Sequence, residues 1–270
     1  MPVVSMINLK GGVGKTSACL HLAGALALLG RRVLCVDNDP QASLTSGFLG
    51  PDHARQLDPA GTIAAVYDGS DPLPSAVIRP TNFDRIDLLP GSRHAVGANV
   101  PLPHKAPHAD QVRLRDFIDQ VRDAYDLTLI DCPPNLQMCS WAAMVASDAF
   151  VVPVQPEDFG AQGTQDVLES AAGVRTLLNP GLALAGFVVS MYQARRTVHK
   201  LYVDTLRAGH GPDVFEVMIP EAVEFVEAVT VSKPVGFFKP KGAPAKAIRA
   251  VAEELLARLA VNVVGTGEAA

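Results

Sequence analysis

Leu9-Lys10-Gly11-Gly12-Val13-Gly14-Lys15-Thr16 stands near the start of a 270-residue chain, between two runs of very different character. Before it lies an apolar run, Val3-Val4-Ser5-Met6-Ile7, and after it residues 17–29 have the pattern of a helix. Strand, glycine-rich loop, Lys-Thr and helix is the order of a phosphate-binding loop. Glycines let successive backbone N–H groups turn inward around phosphate oxygens, and the helix N-terminus adds the positive end of its dipole. In such a loop Gly11, Gly12, Val13, Gly14 and Ser17 wrap the phosphates. Lys15 reaches the β- and γ-phosphates, and the Thr16 hydroxyl ligates Mg2+. ATP and Mg2+ are therefore the expected cofactors.

The strict pattern G-x-x-x-x-G-K-[ST] is not met, because Leu9 occupies the first glycine position and a second lysine, Lys10, precedes the glycine pair. Two acidic strand ends lie where a phosphate loop would need them. Val33-Leu34-Cys35-Val36 reads as a buried parallel strand and runs into Asp37-Asn38-Asp39-Pro40-Gln41; Leu127-Thr128-Leu129-Ile130 is another and ends in Asp131-Cys132-Pro133-Pro134. Acids at the carboxyl ends of such strands sit where ligands bind in open α/β sheets. There they hold Mg2+ through water or orient an attacking water.

Together these residues resemble the partition and cell-division ATPases of ParA/MinD type. The family carries K-G-G-x-G-K-[ST], D-x-D-P-Q and D-[CT]-P-P. The resemblance implies a single α/β phosphate-loop domain over residues 1–260, with a mostly parallel twisted sheet, helices on both faces and a short tail at 261–270. It implies that Lys10 crosses a dimer interface to the partner's nucleotide, and that Asp39 positions the hydrolytic water. Asp37 would support the magnesium shell, Thr16 and Asp131 would hold the ion, and the loop after Asp131 would respond to the γ-phosphate. Residues 157–163 would pack near the nucleotide and the dimer face.

The resemblance continues to about residue 260. Strand-like residues 182–191 end in Met191-Tyr192-Gln193-Ala194-Arg195-Arg196-Thr197, close to the family's M-Y-D-x-R-T with Gln193 in place of the acid. Residues 214–219 read as a short strand ending at Pro220. By resemblance Met191, Pro220 and Glu221 belong to the nucleotide site. The final helix is expected over residues 244–259.

Composition fits this reading. The chain is 48% hydrophobic and 19% charged, with a net charge of −5, and no apolar run has the roughly 18–20 residues of a membrane helix. It opens without a basic leader segment, so a cytoplasmic protein is expected, and the resemblance implies that it associates with the nucleoid. No DNA-reading extension precedes the first strand, as in the short partition ATPases. Cys19, Cys35, Cys132 and Cys139 form no C-x-x-C pair and read as small buried hydrophobes rather than ligands of a bridging iron–sulfur cluster. His104 and His108 are four apart, but Pro103 and Pro107 argue for a polar loop over residues 91–110. Residues 111–125 then read as an amphipathic helix, with Val112, Phe117, Ile118 and Val121 as its apolar stripe.

Residues 191–250 hold nine Lys/Arg against six Asp/Glu, so the remainder of the chain carries −8. In the family the ATP-bound homodimer binds double-stranded DNA without sequence preference through basic residues here, and a ParB-like centromere-binding protein stimulates hydrolysis. Arg195, Arg196, Lys200, Lys233, Lys239, Lys241 and Lys246 are the candidates. One departure cuts against DNA. Where relatives carry I-P-R-N-V-R, this chain has Ile219-Pro220-Glu221-Ala222-Val223-Glu224. The same motifs serve positioning ATPases that move a protein cargo. A membrane-bound division regulator needs a basic amphipathic tail, and residues 261–270 contain no Lys or Arg.

Overall fold

The computed structural model describes residues 1–156 and 161–265, with the side chains of 161–162 and 262–265 excepted. Seven strands form one sheet: β1 (Val3–Met6), β2 (Val33–Asp37), β3 (Arg79–Pro80), β4 (Ile86–Leu89), β5 (Leu127–Asp131), β6 (Ala149–Val154) and β7 (Ala183–Val189). Their spatial order is β3-β4-β2-β5-β1-β6-β7, and all pairings are parallel except that of the two-residue edge strand β3 with β4. Parallel strands buried on both faces demand continuous apolar runs, which is what the strand sequences supply.

Side chains alternate between two cores. Val3, Leu34, Val36, Ile130, Phe150 and Val152 point to one face, packed by helices His108–Asp119, Met138–Ala146 and Ala161–Leu177. Val4, Met6, Val33, Cys35, Leu127 and Leu129 point to the other, packed by helices Lys15–Leu28, Ser43–Leu49 and Ala243–Gly265. Helix Lys15–Leu28 is buried along nearly its whole length. Its Ala- and Leu-rich sequence suits an element enclosed by other elements.

The structure corrects three expectations. Residues 214–219 form no strand, only isolated bridges at Val214 and Pro220. The cause lies in the last helix. Phe215 and Ile219 donate to the Phe187 and Val189 carbonyls of β7 at 2.9 and 2.8 Å, but the Val217 N–H between them goes to Glu254 at 3.2 Å, which interrupts the pairing. The final helix begins near residue 244 as expected but continues to Gly265, past residue 259. The helix expected to end near Tyr125 starts at His108, directly after Pro107, and gives way to a 3-10 turn at Arg122–Ala124. Residues 91–107 form the expected surface loop, which carries two short 3-10 turns at Arg93–Gly97 and Pro103–Lys105. Residues 157–160, part of the expected nucleotide-facing segment 157–163, and residues 266–270, half of the expected tail, lie outside the described residues.

Candidate nucleotide site

Residues 8–14 leave β1 at the carboxyl edge of the sheet and turn directly into helix Lys15–Leu28. Gly12 and Gly14 take φ of +79° and +88°, values that a side chain disfavours, and Gly14 caps the helix without a side-chain bond. Among the described residues, no acceptor takes the N–H groups of residues 11–16. Those donors and the helix N-terminus form a cradle for an anion.

Lys15 is buried, and its Nζ donates to the carbonyls of Asn8 and Lys10, both at 2.9 Å. Burial lowers its pKa, and the charge of Asp131 opposes that shift. Lys10 is exposed on the rim of the loop, with its own N–H given to the Asn8 side chain at 2.9 Å.

Below the loop, Asp37 and Asp131 are register partners on adjacent strands and both are fully buried. Asp37 Oδ2 accepts the Thr45 N–H at 2.7 Å and the Thr45 hydroxyl at 2.6 Å, while its Oδ1 has no partner among the described residues. Both Asp131 oxygens likewise lack a hydrogen-bond partner there. Burial and then the Asp37 charge push the Asp131 pKa well up, against the nearby Thr16 hydroxyl and the Lys15 ammonium. Burial pushes Asp37 up to about 7, with the Thr45 bonds opposing it and the Asp39 charge adding to it. Unpaired buried carboxylates are costly unless a cation or proton completes them. Mg2+ fits the set: it binds through one or two carboxylates and keeps its other positions for water and phosphate oxygens. Among the described residues there is no cluster of three or more His, Cys, Asp or Glu that could hold a metal.

Asp39 stands at the mouth of the same edge, its Oδ1 accepting the Gln41 N–H at 2.9 Å. A Cβ on Gly11 would lie 3.9 Å from Pro134, so the loop after Asp131 abuts the phosphate loop. Met191 adopts φ +54°, and its Cε would lie 3.9 Å from a Cβ on Gly14. Bonds of 3.0 Å from Tyr192 N–H to the Ile219 carbonyl and from Glu221 N–H to the Tyr192 carbonyl bring Pro220 and Glu221 beside Met191. The loop, the acids and Met191, Pro220 and Glu221 thus share one edge of the sheet.

Several supporting residues escape motif reading. Ser190 Oγ clamps the loop through the Val13 carbonyl at 2.6 Å, and Asn8 Nδ2 ties it to the Pro153 carbonyl at 2.7 Å. Thr45 both holds Asp37 and accepts the Gly91 N–H at 2.7 Å. Gly91 is there for space, since a Cβ would fall 2.6 Å from Asp37 Cγ. The Tyr67 hydroxyl donates to Asn38 Oδ1 at 2.8 Å, and Asn38 Nδ2 donates to the Cys139 carbonyl at 2.7 Å, joining the two acidic loops from beneath. Their one sequence signal is adjacency: Asn8 and Ser190 flank expected site residues, and Thr45 closes the run after Gln41.

The basic candidates fall on two stretches. Arg195, Arg196 and Lys200 lie at the start of helix Thr197–His210, and Lys233, Lys239, Lys241 and Lys246 lie along the connection into the final helix. All seven are exposed. Lys239 is paired with Glu227 at 2.6 Å. The four cysteines are buried and free, and burial raises their thiol pKa values, Cys139 to about 12. No helix among the described residues is long and apolar enough to cross a membrane.

A family profile described as an AAA domain matches residues 1–184. The chain is 37% identical to the chromosome-partitioning ATPase Soj of Thermus thermophilus over 261 residues, covering 95% of this chain and 96% of that one. It belongs to the ParA/Soj family of partition ATPases. The chromosome partitioning protein ParA of Caulobacter vibrioides is 34% identical over 259 residues, 95% of this chain and 94% of that one. Among solved structures, cobyrinic acid a,c-diamide synthase of Mycobacterium smegmatis with a bound ATP analogue and magnesium superposes with a TM-score of 0.80 at 28% identity, over 95% of this chain and 94% of that one. This member of the ParA/Soj family is thus a partitioning ATPase on a single α/β phosphate-loop fold.

Proposed function

We propose that the chain uses ATP hydrolysis as a timer for DNA partition, as a homodimer closed face to face around two nucleotides. The observation that supports this most is the buried pair Asp37 and Asp131, whose oxygens lack partners among the described residues, beneath a loop whose N–H groups find no acceptor there and whose lysine rests on two carbonyls. Residues 10–17 hold the phosphates, with Met191, Pro220 and Glu221 against the base. Lys15 exchanges its two carbonyls for phosphate oxygens. Thr16 and Asp131 hold Mg2+, and Asp37 supports its outer shell. The ion's contribution is to neutralise phosphate charge. Asp39 orients the attacking water. Lys10 places its ammonium on the partner's phosphates, so catalysis requires the closed dimer. The ATPase unit covers residues 1–260 and takes in the rest of the final helix to Gly265.

In the cytoplasm the ATP dimer holds nonspecific duplex DNA through Arg195, Arg196, Lys200, Lys233, Lys239, Lys241 and Lys246. A ParB-like partner accelerates hydrolysis and so releases the dimer. The acids Glu221 and Glu224 favour a second reading for the cargo, a protein assembly moved by the same cycle. Lys10→Ala is the direct test. The variant should bind ATP as the wild type does, yet stay monomeric by sedimentation in ATP and lose stimulated turnover. A dimeric, fully active Lys10→Ala protein would refute the cross-subunit role.

A further inference from the structure

Asn38 is a polar residue in an apolar place. It follows strand β2, whose residues 33–36 are all apolar, and only 1% of it is exposed. A buried amide costs free energy unless its groups find partners. The Asn38 N–H donates to the Asp131 carbonyl at 2.9 Å. Nδ2 donates to the Cys139 carbonyl at 2.7 Å, and Oδ1 accepts the hydroxyl of buried Tyr67, the last residue of helix Ile63–Tyr67, at 2.8 Å. A carbonyl only accepts, so the NH2 end of the amide must face Cys139, and its oxygen is left for Tyr67.

Asp131 and Cys139 flank residues 132–138, which include Pro133 and Pro134 and abut Gly11 of the phosphate loop. Asn38 thus holds both ends of that segment, one through its backbone and the other through its side chain. The segment is in turn joined to the first turn of helix Met138–Ala146. The Ser140 hydroxyl donates to the Asn135 carbonyl at 2.6 Å, and Asn135 Oδ1 accepts the Gln137 N–H at 3.1 Å. Asn38 itself stands between Asp37 and Asp39 in the chain. One short, buried amide therefore carries any displacement of the segment to the acids, and the reverse.

We propose that Asn38 is a positioning residue for ATP hydrolysis, whose side chain keeps Asp39 in a fixed relation to the segment between Asp131 and Cys139 and so to the phosphate loop. This rests on the reading in which Asp39 orients the attacking water. An amide with a purely structural role contributes to stability alone. A positioning amide contributes to turnover while ATP binding stays the same, because a displacement of about 1 Å at a reacting group can cost about 100-fold in rate.

Asn38→Leu alone would leave the Tyr67 hydroxyl buried without its acceptor and so mix stability with positioning. Asn38→Leu/Tyr67→Phe removes both polar partners together, a change that can be nearly neutral for folding. Phosphate release from the full chain gives kcat and KM, and a fluorescent ATP analogue gives nucleotide affinity. In the double variant kcat should fall at least about ten-fold, with KM and affinity within about two-fold of the wild type. Tyr67→Phe alone keeps the bond from Asn38 to Cys139 and should lose clearly less. Leu255→Ala, a buried side chain of the final helix, controls for stability: it should lower the melting temperature and leave kcat within about two-fold. The proposal is overturned by an unchanged kcat in the double variant, by an equal loss of ATP affinity, by an equal kcat loss in Leu255→Ala, or by an equal loss in Tyr67→Phe. Asp39→Ala, assayed alongside, separates this role from the reading beneath it. If Asp39→Ala is inactive, those results remove the positioning role alone; if it is fully active, the reading fails and the proposal with it.

Discussion

The carboxyl edge of β1, β2 and β5 and the surface stretches 195–200 and 233–246 are both rich in charge, and the fold treats them in opposite ways. At the edge, Lys15, Asp37 and Asp131 are buried, and Lys15 and Asp37 are held by hydrogen bonds. On the surface, Arg195, Lys200, Lys233, Lys241 and Lys246 are exposed. Burying a charge costs several kcal/mol unless something answers it, so a buried charge with an open oxygen points to a ligand. An exposed charge costs little to keep and by itself points to no particular partner.

Removing Lys15 tests the buried side hardest. Lys15→Ala deletes the ammonium beside Asp131, and ATP turnover should fall by roughly 10²–10³-fold, the scale for losing a group that stabilises transition-state charge. A steady-state phosphate-release assay reads this. A drop of only two- or three-fold would mean that Lys15 is structural and that burial has been misread as chemistry.

Gly91→Ala probes the same edge by volume rather than charge. Its Cβ would fall 2.6 Å from Asp37 Cγ, so Asp37 must leave the Thr45 bonds or the backbone must shift. Overpacking of this kind costs about 1–3 kcal/mol. Chemical denaturation of the pure variant should show that loss, together with a weaker dependence of turnover on Mg2+.

His21 tests what a buried titratable group does away from the site. Its Nδ1 accepts the Val235 N–H at 3.0 Å, and burial lowers its pKa to about 4 from an ordinary 6.5. The unfolded chain therefore binds more protons between those two values. This group's contribution to stability should be complete above pH 6.5 and decline as pH falls toward 4, with about 2 kcal/mol gone by about pH 5. His21→Asn keeps an acceptor but does not titrate. Its stability measured near neutral pH and again in mild acid should lack that part of the decline, and an unchanged decline would show that other groups drive it.

The contrast explains what could be read in advance. Lys10, Lys15, Asp37 and Asp131 were legible because a phosphate loop and strand-end acids tie residue type to backbone position. The parallel strands were legible because burial on both faces leaves few residue types to choose from. Ser190, Asn8, Thr45 and Gly91 were not, since each acts on groups that only folding brings near. Residues 214–219 misled for the same reason: their pattern is that of a strand and Phe215 and Ile219 do bond to β7, but Glu254, far along the chain, takes the Val217 N–H between them.

The gentlest test lies among the exposed cations. In nonspecific DNA binding, each phosphate that a protein no longer neutralises lowers the salt slope of log K by about one. Lys239 is already engaged by Glu227 and lies over the Phe238 ring, whereas Lys200 is exposed on helix Thr197–His210 and forms no ion pair among the described residues. Lys200→Ala should therefore reduce the slope by about one, and Lys239→Ala by clearly less, because its charge is partly cancelled before DNA arrives. Neither change should move the melting temperature measurably. Equal slopes for the two variants would show that DNA displaces Glu227 from Lys239, and would make that ion pair a competitor for DNA rather than a fixture of the surface.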